Sequence, residues 1–233
     1  MSLNPQVFRA RTITALFFVI VMMAGLFVNY WSFVLLFFII HAGCWYEFIK
    51  LQKRITPHRY FLIAGVVYIS APILMLCSMR PDFFISPFKD ENKIPLMQHP
   101  VFIPCVIIFS IWINDTMAYL VGSFIGKTPF SKISPKKTWE GIIGGVLLSV
   151  LVVGFAGSKF FGSFLPGNLH WYVLPFLCGV FGTLGDLLES KLKRMANVKD
   201  SGSFMPGHGG FLDRFDSLLI AAPAVWVFIY LFF

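Results

Sequence analysis

The chain closes on "SLLIAAPAVWVFIYLFF", residues 217–233, a run with no charged side chain. As an α-helix it would rise about 26 Å at 1.5 Å per residue, close to the roughly 30 Å of a bilayer's hydrocarbon core. Directly before it stands "KDSGSFMPGHGGFLDRFDS", residues 199–217, which holds three aspartates, a histidine, a lysine and an arginine. A strongly polar stretch abutting a lipid-length run places its chemistry at a membrane edge. The rest of the chain agrees. Its 233 residues are 57% hydrophobic and 13% charged, and 28 of them are phenylalanine. Mean hydropathy is +0.76. A soluble fold of this size could not hide so much apolar surface, so lipid must cover it.

Working back from the last run, six more apolar segments stand at about 12–28, 31–49, 60–79, 100–121, 141–157 and 171–188. Each is long enough to cross a bilayer as a helix, the shortest only just. The expectation is an all-α, polytopic integral membrane protein of about seven transmembrane helices, forming a single membrane domain over residues 1–233. The first segment follows "RAR" but precedes no small-x-small cleavage pattern, so it reads as a retained helix and not a signal peptide. No internal repeat or low-complexity tract is present. The cysteines Cys44, Cys77, Cys105 and Cys178 lie singly in or beside apolar runs, with no CxxC pair, and read as buried or lipid-facing thiols.

Charge sets the expected orientation. With the N-terminus in the cytosol, fifteen Lys and Arg fall in inner segments and four (Arg80, Lys89, Lys93 and Lys159) in outer ones. The positive-inside rule favours that arrangement, with the C-terminus outside. The net charge of +8 is therefore a topology signal. It is divided among loops that alternate with spans, which excludes nucleic acid as a partner. Eight of the eleven acids also fall at the inner face: Glu47, Asp115, Glu140, Asp186, Glu189, Asp200, Asp213 and Asp216.

These inner acids sit in patterns. In "GTLGDLLESKLKR", residues 182–194, Asp186 and Glu189 have i,i+3 spacing and share a helical face, while Glu189 and Lys193 are four apart and can pair. Asp186 continues an apolar span, where an ionisable group usually faces a polar cavity; the plainer reading pairs it with Lys191 or Lys193. In "HGGFLDRFDS", Asp213 and Asp216 repeat the i,i+3 spacing at the start of the last helix. With Asp186 they form a candidate site for a hard cation, since Mg²⁺ takes oxygen ligands from a few carboxylates and substrate phosphates. A helix start favouring acids through its dipole accounts for one of them. "GKTPFSKISPKKTWEG", residues 126–141, carries Lys127, Lys132, Lys136 and Lys137. This loop is either a phosphate clamp or a positive-inside anchor, and it lacks the P-loop spacing. Asp115, within "WINDTMAYLVG", would bind a polar ligand group or a loop lysine.

The stretch "SKLKRMANVKDSGSFMPGHGGFLDRFD", residues 190–216, resembles the signature of CDP-diacylglycerol synthases, also called phosphatidate cytidylyltransferases. That signature runs S-x-apolar-K-R, K-D four residues on, then HGG-apolar-x-D-R-apolar-D. Met205 stands where the family usually has Leu, Ile or Phe. "ND..AYLVG...GK.......SPKKTWEG" and "GDLLES" upstream are similar to the family too, so the resemblance covers residues 112–217. It implies the reaction of CTP with phosphatidate to give CDP-diacylglycerol and pyrophosphate, in phospholipid biosynthesis, at a cytosol-facing polar site in a bacterial cytoplasmic membrane. It implies Mg²⁺, alone or with a second cation beside it, and a homodimer. On this reading Asp186 and Asp213 are the principal metal ligands, joined by Asp216 and Glu189. Lys136, Lys137, Lys193, Arg194, Lys199 and Arg214 would hold phosphates of CTP and the lipid, with Lys199 at the reacting centre. Asp200 would anchor basic residues or touch the nucleotide, and His208 would hydrogen-bond a phosphate or an aspartate.

Three other readings were weighed. A cytidylyltransferase for another lipid phosphate, such as an archaeal ether lipid, would carry a similar signature. An ion-coupled transporter would need polar groups at several depths, whereas these acids gather at one face. A scaffold without catalysis would leave the clustered motif without a purpose.

Overall fold

The computed structural model describes residues 5–55, 60–87, 101–161, 168–204 and 209–232, with side chains from residue 12 onward. The described residues are helical and contain no strand. The helices are α1 (Pro5–Phe27), α2 (Tyr30–Ile55), α3 (Tyr60–Gly65), α4 (Ala71–Ser78), α5 (Phe102–Ile125), α6 (Trp139–Phe160), α7 (His170–Met195) and α8 (Leu212–Phe232). A π-helical turn, Val66–Ser70, joins α3 to α4 just before Pro72. Helices are what a lipid-embedded chain requires, because each satisfies its own backbone groups without water.

Among the described residues, six spans are long and apolar enough to cross a membrane: Tyr30–Ile55, Tyr60–Ser78, Phe102–Ile125, Trp139–Phe160, His170–Met195 and Leu212–Phe232. Thr12–Phe27 is a shorter apolar helix beside them. The protein is thus an all-α polytopic membrane protein, and each of the seven apolar segments is a helix. The helix ends differ from the apolar edges in one informative way. α2 runs on through Lys50, Lys53 and Arg54, α7 through Lys191, Lys193 and Arg194, and α8 begins early enough to include Asp213 and Asp216. Hydropathy marks where lipid stops, whereas the hydrogen-bond ladder continues into the polar zone.

The chain forms two compact units. The first contains residues Met1–Ser70 and Lys191–Phe215, the second Ala71–Ser190 and Asp216–Phe233. In the first, α2 opens with a reciprocal cap. Asn29 Oδ1 accepts from the Ser32 amide at 2.8 Å, and Ser32 Oγ accepts from the Asn29 amide at 3.0 Å. Also in this unit, α7 ends in a Schellman turn: the Val198 amide donates to Lys193 O, the Asn197 amide to Arg194 O, and Asn197 takes a φ of 54°.

In the second unit, α5 and α6 pack closely because small residues let their backbones approach. A Cβ on Gly145 would stand 2.7 Å from Ala118 Cβ and 2.9 Å from Asn114 O. Ser149 Oγ donates to Ser110 O across the same interface at 3.2 Å. Gly145→Ala is therefore expected to lower stability by about 1–3 kcal/mol, the usual effect of overpacking. Thermal unfolding in detergent reads this, and an unchanged midpoint would show that the two helices can part freely.

Candidate active site

The second unit contains six of the candidate site residues: Asp115, Lys136, Lys137, Asp186, Glu189 and Asp216. The lysine-rich segment between α5 and α6 is folded into a small hairpin. Pro129 and Thr138 form an antiparallel bridge, the Phe130 amide donates to Lys137 O at 2.8 Å, and the Trp139 amide donates to Thr128 O at 3.0 Å. The Phe130 and Trp139 rings meet edge to face at 4.7 Å. Thr138 caps α6, its Oγ1 accepting from the Gly141 amide at 3.1 Å. Glu140 reaches back to the loop's start, accepting from the Thr128 hydroxyl at 2.8 Å and from the Lys127 and Thr128 amides.

This scaffold holds Lys137 half-buried in an ion pair with Asp186 of α7. Lys136, its neighbour, is exposed. The sequence points to Lys191 or Lys193 beside Asp186; the structure gives it the loop lysine instead, while Lys193 turns to Asp213, and Asp186 Oδ1 also accepts from Ser190 Oγ at 3.2 Å. Asp216 is buried at the other side of this group, with Oδ1 accepting from the Ser217 amide at 2.7 Å. Asp186, Asp115 and Lys137 all lie within electrostatic reach of Asp216. Asp115 itself is exposed on α5, where Asn114 Nδ2 donates to it at 3.3 Å. Asp216 thus lies in the field of two other carboxylates and one lysine. Glu189, one turn beyond Asp186 on α7, is fully buried.

The first unit collects another set. Asp213, on the first turn of α8, is nearly saturated. Its Oδ1 accepts from Lys193 Nζ at 2.6 Å, with both side chains largely buried. Its Oδ2 accepts from the Gly210 amide at 2.8 Å and from the Ser201 amide at 2.9 Å, with Ser201 Oγ also 2.9 Å away. Lys193 is therefore the partner of Asp213. Gly209, with φ +84°, lets the chain turn into this arrangement where an L side chain would be strained.

Glu47 was counted among the inner acids only, yet it organises this set. It sits on α2, 3% exposed. Its Oε1 accepts from the Phe211 amide at 3.0 Å, and its Oε2 from the Leu212 amide at 2.9 Å and the Ser201 hydroxyl at 2.7 Å. The α8 N-terminus offers unpaired amides and partial positive charge, which suit a buried carboxylate. A Cβ on Gly202 or Gly210 would collide with that carboxylate. The signal for its role was an isolated acid in the apolar run "HAGCWYEFIK".

Arg194, Lys199, Asp200 and Arg214 are exposed in this unit, and Arg194 Nη1 reaches Val198 O at 3.4 Å. His208 lies outside the described residues. Among the described residues, no group of three or more His, Cys, Asp or Glu side chains stands in a metal-holding arrangement. By donor chemistry, Asp115, Asp186 and Asp216 fit a hard cation, because their mutual repulsion favours a positive charge and all their ligand atoms are oxygen. Asp213 fits less well, since both its oxygens are already engaged by Lys193, Ser201 and Gly210.

Residues 91–232, more than half of the chain, match the model of the cytidylyltransferase family. The chain belongs to that family. Among curated proteins it is 45% identical to the phosphatidate cytidylyltransferase of Aquifex aeolicus over 124 residues, which are 52% of this chain and 45% of the relative. It is 40% identical to that of Bacillus subtilis over 133 residues, 57% of this chain and 48% of the relative. With the Staphylococcus aureus (strain COL) protein of the same name it shares 42% identity over 193 residues, 78% of this chain and 70% of the relative. The chain thus spans about half the length of the first curated relatives that it matches, and more of the staphylococcal one. The family match contains the hairpin, Asp115, Asp186, Asp213 and Asp216.

Glu47→Gln is expected to lower stability by about 1.5–3 kcal/mol, because one carboxamide nitrogen would confront donors that the carboxylate now accepts. Denaturation in detergent measures this. Wild-type stability of the variant would remove Glu47 from its organising position.

Proposed function

We propose that the protein is a phosphatidate cytidylyltransferase, forming CDP-diacylglycerol and pyrophosphate from CTP and phosphatidate. The observation that carries this reading is the rigid lysine hairpin held against Asp186 beside Asp115 and Asp216, inside the family-matched segment. The relatives' activity, as their name states it, suggests the substrates.

In the proposed reaction a phosphate oxygen of the lipid forms a bond to the α-phosphorus of CTP. The bond from that phosphorus to the bridging oxygen of the β-phosphate breaks, and pyrophosphate leaves with the electron pair. A phosphate monoester is largely ionised at neutral pH, its second pKa being about 6, so no strong base is needed. The obstacle is repulsion between two anions. Lys136 and Lys137 would hold CTP phosphates, with the hairpin fixing where their charge sits. Lys137 would pass from Asp186 to a phosphate as substrate enters. Arg194, Lys199 and Arg214 are exposed and carry the charge that would suit an anionic lipid head. Mg²⁺ held by Asp186 and Asp216, with Asp115 near, would neutralise charge gathering on the leaving pyrophosphate. Asp213, with Lys193, would shape the polar segment. A homodimer in a bacterial cytoplasmic membrane, with the site facing the cytosol, completes the reading.

Purified protein should release pyrophosphate from CTP only when phosphatidate and Mg²⁺ are both present, and make no CDP-lipid from an ether-linked archaeal acceptor at comparable rate. The double variant Lys136→Gln/Lys137→Gln should lose about tenfold or more in kcat/KM for CTP, since each charge-assisted hydrogen bond contributes about 1.5–3 kcal/mol. Unchanged CTP kinetics in folded protein would return the hairpin to a topological anchor.

A reporter active only outside the cytosol, fused after Phe233, should work if fifteen of the nineteen Lys and Arg lie inside. Activity of a cytosolic reporter at that position would reverse the orientation.

A further inference from the structure

The first unit contains an apolar cavity of about 420 Å³ between α1, α2 and the start of α8. Its walls include Phe18, Met22, Leu36, Ile40, Phe211 and Phe215. Thr14 is the one lining residue with a polar side chain. Several wall residues are open to the surroundings of the helices: Val21 is 40% exposed, Ile39 47% and Phe17 66%. In a membrane-embedded helix such faces meet lipid, so the cavity can be entered sideways from the bilayer.

Its two ends differ. The Phe211 ring packs where a side chain on Gly43 would stand, and one turn further along α2 Glu47 accepts the Phe211 amide. That end adjoins Ser201, Asp213 and Lys193 through the same backbone. The other end lies seven residues back along α2 at Leu36, which packs against Gly25 of α1. Seven helical residues are about 10 Å. Phe211 and Phe215, four apart on α8, both face the cavity, and Phe18 meets Phe215 at 6.0 Å between ring centres. Arg214 is exposed between those two phenylalanines in sequence. The cavity is thus an apolar slot along two membrane-crossing elements, with a polar, cation-bearing cap at one end only.

The geometry points to an acyl-chain site: the slot takes one fatty chain of the lipid phosphate substrate, with the phosphate toward the α8 start. This rests on the function proposed above. The complementarity is that of an amphiphile, in which the chain replaces bilayer lipid along the slot and the anionic head meets Arg214, Lys199 and Arg194. A polar ligand would find almost no partner in the walls, and a lipid without an anionic head would leave the basic cap unused.

Two measurements test this. In the first, kcat/KM is compared for dihexanoyl and dipalmitoyl phosphatidate. Val21→Trp and Ile39→Trp each add bulk to a wall residue that is already lipid-exposed, so the fold should tolerate them. They should lower efficiency on the long-chain substrate about tenfold, while efficiency on the short-chain one and the KM for CTP stay within twofold. Equal loss on both chain lengths, or no loss on either, would overturn the site. In the second, phosphatidate and phosphatidylcholine, each with a diazirine near the chain end, are photolysed with the protein in bicelles. Phosphatidate should label residues 17–22 and 36–40 preferentially, and unlabelled phosphatidate should compete. Equal labelling by both lipids would show ordinary bilayer contact and overturn the site. The labelling needs no turnover. Failure of every phosphatidate to react would therefore count against the proposed function, while head-selective labelling would still support the slot.

Discussion

A carboxylate within an otherwise apolar helix face stands at the centre of the first unit. Glu47 is buried on α2, yet two main-chain amides at the beginning of α8 and the hydroxyl of Ser201 converge on it. Removing such a charge from water is strongly unfavourable unless donors replace its hydration shell. Here the donors belong to a helix terminus that itself lacks acceptors, so each group answers the other's deficit. From that contact the rest follows locally. The Ser201 hydroxyl stands between Glu47 and Asp213, Asp213 binds Lys193, and the glycines at 202 and 210 leave the room that the carboxylate occupies.

The second unit uses charge differently. Its carboxylates at 115 and 186 lie in the field of Asp216, and Lys137 pairs with Asp186 within the same group. Repulsion of this kind stores a preference for cations and for ligands that carry them. The contrast separates two roles that the same residue type plays between residues 186 and 216: Asp213 is a structural acceptor with every oxygen occupied, whereas Asp186 and Asp216 retain capacity for more. The hairpin supplies the rigidity. Its bridge, its threonine cap and the Glu140 clasp hold a lysine-bearing turn in one shape at the end of a membrane helix.

The helical, lipid-embedded architecture was legible because each of the seven apolar runs is longer than a soluble helix would tolerate without charge. The motifs were legible as polar clusters: Asp186 and Asp216 were grouped from their spacing and lie in one another's field, whereas Lys137 as the ion partner of Asp186 was not foreseen. What spacing could not supply was the division of labour between Asp213 and Asp216, since both open the same helix at i,i+3 and differ only in their three-dimensional partners. Glu47 was hidden because an acid near a span's end counts the same in a topology tally whether it faces water or a helix terminus. The slot was hidden for a similar reason. Phenylalanines that line a cavity and those that meet bulk lipid have the same hydropathy, and 28 of them blur any pattern.

The separation in sequence between Glu47 and its partners has a consequence for biogenesis. Ser201 follows it by 154 residues and Leu212 by 165. At about 5–20 residues per second of synthesis, the acid exists for roughly 8–30 s before the first of these donors is made. During that interval α2 enters the bilayer with a carboxylate whose final hydrogen-bond donors are still untranslated. It must keep company with water, headgroups or the insertion machinery until the last helix arrives. Closure of the α2–α8 contact is therefore a post-insertion event, and the polar segment takes its shape only once the start of α8 has been made.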